Sequence, residues 1–196
     1  MKSNKVLIAL LAVVGAIVVS FGIFYLYGTS VITEAANKQE NVDMKWGNVQ
    51  SAYDKKAKLI PDLVATVKGA SANEEKILTE VTNARAGIKS ATSPEEIQQQ
   101  GNIINRNIQV VFEKYPEIRS TENFKMLQIQ LEGVENEIKT ERDYYNEAVK
   151  EFNSYVRGFW KHKALGLVAN DDEEFKVRKM FEADAASQNA PKVSFE

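Results

Sequence analysis

FKMLQIQLEGVENEIKTERDYYNEAVKEFNSY, residues 124–155, decides the fold. Phe124, Leu127, Leu131, Val134, Ile138, Glu141, Tyr145, Ala148, Phe152 and Tyr155 recur there in steps of three and four. That spacing is the seam of a left-handed coiled coil, and it predicts one long helix from about Thr121 to Arg157. A seam this long must be covered by a helix of similar length. Glu141 interrupts it; its carboxylate is expected to snorkel to solvent, the alternatives being a basic partner or a device that fixes register. Gly133 costs about 1 kcal/mol relative to Ala in a helix interior, and the expected return is close approach of a neighbouring backbone.

The covering helix is predicted from about Val31 to Lys68, with Ala35, Val42, Trp46, Val49, Tyr53, Ile60, Leu63, Val64 and Val67 at helical spacing. Pro61 lies inside it and should bend it, and Gly69 ends it. A second helix spans about Asn73 to Lys89, capped by Ser71 or Asn73. A third starts at a strong signal, with Ser93 as cap, Pro94 in the first turn and Glu96 at the capping-box position. Ile97, Gly101, Ile104, Ile108, Val111 and Tyr115 trace its buried stripe, and Pro116 stops it. The first and fourth helices are about 57 and 55 Å long, the second and third about 26 and 32 Å. Short connections make neighbours antiparallel. The reading is therefore all-α, an antiparallel up-down four-helix bundle with long first and fourth helices, preceded by a transmembrane helix. Trp46 should meet Tyr144, Tyr145 or Ala148.

Val6 to Tyr27 carries no charge and is long enough to cross a bilayer, which needs about 20 apolar residues. It exceeds a secretory h-region and is followed by a poor cleavage site, so it is read as an uncleaved signal anchor. Lys2 and Lys5 precede it, which places the N-terminus in the cytoplasm and the remainder outside. Ala12, Ala16 and Ser20 line one face, a candidate transmembrane packing surface. The organisation is thus 1–5 cytoplasmic, 6–27 transmembrane, 28–168 helical bundle, and 169–196 an acidic, mobile or loosely docked tail with an acidic run at 171–174. Basic and aromatic residues alternate with apolar ones in 157–168. If the fourth helix returns to the membrane, Arg157, Trp160, Lys161 and Lys163 are candidates for contact with its surface; the alternative is a hydrophobic cap on the bundle.

Chemistry is conspicuous by what is missing. The formal net charge is −2 and there is no cysteine, so a nucleic-acid partner and thiolate chemistry are not expected. The one histidine, His162, rules out a di-iron bundle site built on two Glu-x-x-His pairs, as well as His-rich zinc centres. No phosphate loop occurs. Glu132, Glu135 and Glu137 read as a solvated face. The third helix is amide-rich (Gln98, Gln99, Gln100, Asn102, Asn105, Asn107 and Gln109), either an ordinary wet face or a partner surface. No catalytic residue, cofactor or metal site is predicted.

Several stretches together resemble one family: Lys58-Leu59-Ile60-Pro61-Asp62-Leu63-Val64, Tyr115-Pro116-Glu117-Ile118, Asn123-Phe124-Lys125-Met126-Leu127-Gln128, Leu131-Glu132-Gly133-Val134-Glu135-Asn136-Glu137-Ile138, Arg142-Asp143-Tyr144-Tyr145-Asn146-Glu147-Ala148-Val149, and the closing Pro191-Lys192-Val193-Ser194-Phe195. The chain is similar to the LemA family of bacterial membrane proteins. The resemblance implies an N-terminal membrane helix, an antiparallel helical bundle and a protein partner in the cell envelope, and no activity. Where many relatives have a proline after an aromatic, this chain reads Phe159-Trp160. The expected function is a membrane-anchored binding or scaffold protein and not an enzyme. The alternatives are a self-assembling structural membrane protein forming homo-oligomers and a small-ligand or sensory receptor domain.

Overall fold

The computed structural model describes residues 2–65, 72–114, 122–168 and 175–182. They form five α-helices: α1 Lys2–Ala65, α2 Ala72–Ser90, α3 Pro94–Lys114, α4 Glu122–Val156 and α5 Phe159–Val168. No strand occurs among the described residues. Gly69, Pro116, the acidic run 171–174 and Pro191 to Phe195 lie outside them, as do the side chains of Leu63, Val64 and Phe124.

The chain is all-α, with two departures from expectation. No separate helix starts at Val31, because α1 runs unbroken from the apolar segment through Gly28-Thr29-Ser30. The Thr29 and Thr33 hydroxyls donate to the carbonyls of Leu26 and Thr29, each at 2.9 Å, so side chains that can compete with a helix bond back onto this one. Beyond the turn at Arg157-Gly158, α5 is a helix in its own right. The apolar part of α1 is long enough to cross a membrane, and none of that window is buried within the protein, which suits a membrane anchor.

Contacts divide the chain into two compact units. The first comprises Met1–Val42 and Ala148–Arg178. In it α1 and α4 run antiparallel: the Tyr155 hydroxyl donates to the Val31 carbonyl at 3.4 Å, while Lys38 reaches Glu151 at 3.4 Å. Ala35, Val42, Val149 and Phe152 are buried. Asn153 holds Arg178 by both ends of its amide, donating to the Arg178 carbonyl at 2.8 Å and accepting from its N–H at 2.9 Å.

The second unit comprises Asp43–Glu147 and Lys179–Glu196. Trp46 lies 5.3 Å from the Tyr145 ring and 6.1 Å from Phe181, centroid to centroid. Trp46 therefore meets Tyr145, one of the three contacts that antiparallel pairing of the long helices predicts. The expected loosely docked tail is, from Lys179 to Glu182, tied to α4. Asn146 donates to the Phe181 carbonyl at 3.1 Å and accepts from its N–H at 2.8 Å, and Tyr145 Oη donates to the Lys179 carbonyl at 3.1 Å. α2 and α3 pack on each other. The start of α3 is the capping box its sequence announces: the Ser93 hydroxyl accepts the Glu96 N–H at 3.3 Å, and the Glu96 carboxylate accepts the Thr92 N–H at 2.7 Å. The Thr92 amide and hydroxyl hold the Glu96 carboxyl below its ordinary value.

Leu127, Leu131, Ile138, Tyr145, Ala148 and Phe152 of the seam are buried. Glu141 does not snorkel fully: its Oε2 is buried without a hydrogen-bond partner among the described residues. Gly133 is a correction. A Cβ built there meets nothing within 4 Å, so no backbone approaches it. The close approach occurs at Gly101, where a Cβ would stand 2.4 Å from Cε1 of the buried Tyr53 ring.

The two glycines predict opposite signs. Gly133→Ala should stabilise the full chain in detergent by about 0.5–1 kcal/mol, through helix propensity and a restricted unfolded state. Gly101→Ala should destabilise it by about 1–3 kcal/mol through overpacking against Tyr53. Denaturant melts followed by circular dichroism distinguish them.

Candidate functional site

Within the second unit, α1, α3 and α4 leave an open groove of about 740 Å³. Its apolar part is Ile108 and Phe112 from α3 and Leu131 from α4. Amides surround it: Asn105 and Gln109 on one side, Gln128 and Asn136 on the other. Lys56, Glu132 and Glu135 supply the charge. The α3 wall exists because residues 105, 108, 109 and 112 fall on one helical face, and the α4 wall because 128, 132 and 135 do.

Lys56 is the chief residue that sequence reasoning passed over. Its side chain is 3% exposed and its ammonium pairs with Glu135, while next to it Lys55 pairs with Glu137. The signal was present: position 56 falls between Tyr53 and Ile60 in the buried stripe of α1, where an ammonium must find a partner. Glu135 and Glu137, read as a solvated face, are thus the anions that tie α4 to α1. Glu132 accepts from Gln128 at 3.3 Å. A second charged link joins α1 to α2, where the Asp54 carboxylate receives Arg85 at 3.0 Å and Lys58 at 2.8 Å. Burial pushes the Asp54 carboxyl up, but the hydrogen bonds from Lys58 and Arg85 outweigh it and hold the group below its ordinary value.

The other sequence-predicted residues are dispersed. Of the amide-rich face of α3, Asn105 and Gln109 line the groove. Asn107 is instead buried and donates to Glu80 at 3.1 Å. Ala12, Ala16 and Ser20 lie exposed on α1, with the Ser20 hydroxyl donating to the Ala16 carbonyl at 2.7 Å. Arg157, Trp160 and Lys163 are exposed in the first unit, and Lys161 rests its ammonium 3.8 Å above the Tyr155 ring. His162 is exposed on α5. Among the described residues no group of three histidine, aspartate or glutamate side chains is placed to hold a metal. What the groove offers is apolar surface, amide hydrogen bonds and a carboxylate rim, which suit binding of a polypeptide segment.

Two outcomes follow. Glu135→Gln leaves the Lys56 ammonium buried against a neutral amide and should cost about 1–3 kcal/mol, whereas Lys56→Met should be close to neutral. Both are read in denaturant melts. Because the Asp54 pKa is lowered by folding, its contribution is complete above the unfolded value of about 4 and is lost as pH falls through the folded value. Asp54→Asn should therefore flatten the acid limb of the stability–pH curve and leave its slope above about pH 5 unchanged.

Comparison with known proteins points to one family. A protein described as Protein LemA from Metamycoplasma hominis is 22% identical over 147 residues, covering 73% of this chain and 67% of the relative. The sequence model of the LemA family matches residues 45–195, the whole of the groove included. On a match over more than half of its length, the chain belongs to the LemA family.

Proposed function

We propose that this chain is a membrane-anchored helical bundle that binds or scaffolds another protein of the bacterial envelope, with no catalytic activity. The groove carries the reading. It presents apolar surface ringed by amides, and its charged groups are engaged in structural pairs instead of being arranged around a reacting centre. Two carboxylates against one ammonium make its rim acidic, so the occupant it suits is an apolar segment bearing a basic residue. In this reading α1 to α4 form an antiparallel four-helix bundle. The apolar part of α1 spans the inner membrane with Lys2 and Lys5 inside, and the groove faces the envelope side. No nucleic acid, cofactor or metal takes part.

A photo-crosslinking residue placed at Gln109 or Gln128 in living cells tests this, with exposed Asn102, on the same helix but outside the groove, as control. A discrete heterologous envelope protein captured from both groove sites, and not from Asn102, is the expected result. Capture of a second copy of the chain alone would support the self-assembling structural protein instead. Bonds only to residues 183–196 of the same chain would show that the groove is filled from within and would overturn the proposal.

A further inference from the structure

We infer that α5 lies in the headgroup layer of the bilayer that holds the chain's own anchor, with Phe159, Trp160 and Lys163 as its lipid-facing side. The observations all belong to the first unit. The apolar run of α1 ends at Tyr27, and Val31 stands one turn beyond, about 6 Å along the axis. The Tyr155 hydroxyl bonds to the Val31 carbonyl at 3.4 Å, which fixes the level of α4 there. α4 runs the opposite way, and the Arg157 and Gly158 amides still bond back to the carbonyls of Asn153 and Tyr155, so the four residues from Tyr155 to Phe159 bring the chain back by at most about 6 Å. α5 therefore begins within about one helical turn of the level of Tyr27, where the hydrocarbon-spanning segment stops.

α5 has two faces. Ala164 and Leu165 are buried, and Lys161 is held over the Tyr155 ring. On the other side Phe159 is 67% and Trp160 73% exposed, with their rings 5.1 Å apart. Lys163 falls one turn from Trp160 on this side. An indole, a phenyl ring and ammonium groups at one level are the composition that favours the membrane interface, where the rings are partly dehydrated and the cations stay among the phosphates. Phe24, Tyr25 and Tyr27, all exposed on α1, belong to the same belt. Gly158 makes the turn into α5: a Cβ there would press to 3.3 Å on the Tyr155 carbonyl oxygen. The two exposed rings have no other described occupant, and the bilayer is already fixed to the same unit by residues 6–27.

The inference rests on the anchor and not on a partner for the groove. The full chain with Trp46→Phe, which leaves Trp160 as its one tryptophan, is reconstituted in phosphatidylcholine vesicles containing phosphatidylglycerol. Co-flotation with the vesicles reports the anchor separately. Bromines near the glycerol end of the acyl chains should quench Trp160 by about two-fold or more, those at the chain terminus much less, and aqueous iodide weakly. Strong iodide quenching without bromine quenching would place the ring in water, and quenching by neither would place it against protein; either overturns the inference. Should Trp46→Phe fail to fold, a spin label at Lys163→Cys in this cysteine-free chain gives the same answer. Its collision rate with oxygen relative to an aqueous nickel chelate should exceed that of a label at Glu151→Cys, and equality would overturn the inference.

Discussion

The Trp46 indole is where the second unit is held together. It meets the Tyr145 ring of α4 at 5.3 Å and Phe181 at 6.1 Å, and its Nε1 donates to the Ala91 carbonyl at the α2–α3 turn at 3.2 Å. Gln50, one turn on, donates to the same carbonyl at 3.1 Å and to Ile88 at 3.1 Å, so the carbonyls freed where α2 ends are bonded by α1. A buried aromatic group with a polar handle combines large apolar area with a directional bond, and here the two point at different segments. Arg142 caps the cluster with its guanidinium 4.7 Å from the Phe181 ring. Four stretches of chain thus meet at one side chain.

The same economy governs α4 and the chain that returns along it. Asn146 and Asn153 each satisfy a backbone N–H and carbonyl with one carboxamide, a pairing that substitutes for a β-ladder. Seven residues separate them, so both sit on one stripe of the helix. Around Tyr155, cations replace amides: Lys161 lies 3.8 Å and Lys38 5.9 Å from the ring centroid. Burial, with Glu34 and Tyr27 nearby, pushes the Tyr155 hydroxyl up, so it remains a donor to Val31 through the physiological range.

Periodicity made the helices legible in the sequence, because a buried stripe at three-and-four spacing has few other readings, and the lengths of the two long helices, paired antiparallel, brought Trp46 to the neighbourhood of Tyr145. The capping box at Ser93 and Glu96 was equally plain. The unbroken α1 was harder to see: Gly28-Thr29-Ser30 has loop composition, and only the hydroxyl bonds of Thr29 and Thr33 back onto the helix show why it continues. Phe181 was lost among polar residues, since a lone aromatic outside any periodic segment says nothing about what it packs on. Gly133 misled for a related reason. Glycine in a helix reports a missing side chain, and the sequence cannot distinguish a neighbour that needs the room from a surface that merely tolerates its absence. The groove was half visible, in the amides of α3, but its other wall needed the register of α4.

That register is set by charge. A coiled-coil seam repeats every seven residues, so apolar packing alone would let α4 slip by one heptad along α1 with little loss. In the observed register Lys56 meets Glu135 and Lys55 meets Glu137. A slip of seven residues sets Lys56 against Gln128 or Arg142, and Lys55 against Gln130 or Tyr144. Neither alternative offers an anion to an ammonium that is 3% exposed, and an unpaired buried charge costs several kcal/mol. The pair need not add net stability over an apolar replacement to do this, since its effect lies in the difference between registers. Two adjacent lysines on α1 therefore select one alignment of α4 out of those the seam permits, and with it the placing of Gln128, Leu131 and Asn136 along the groove.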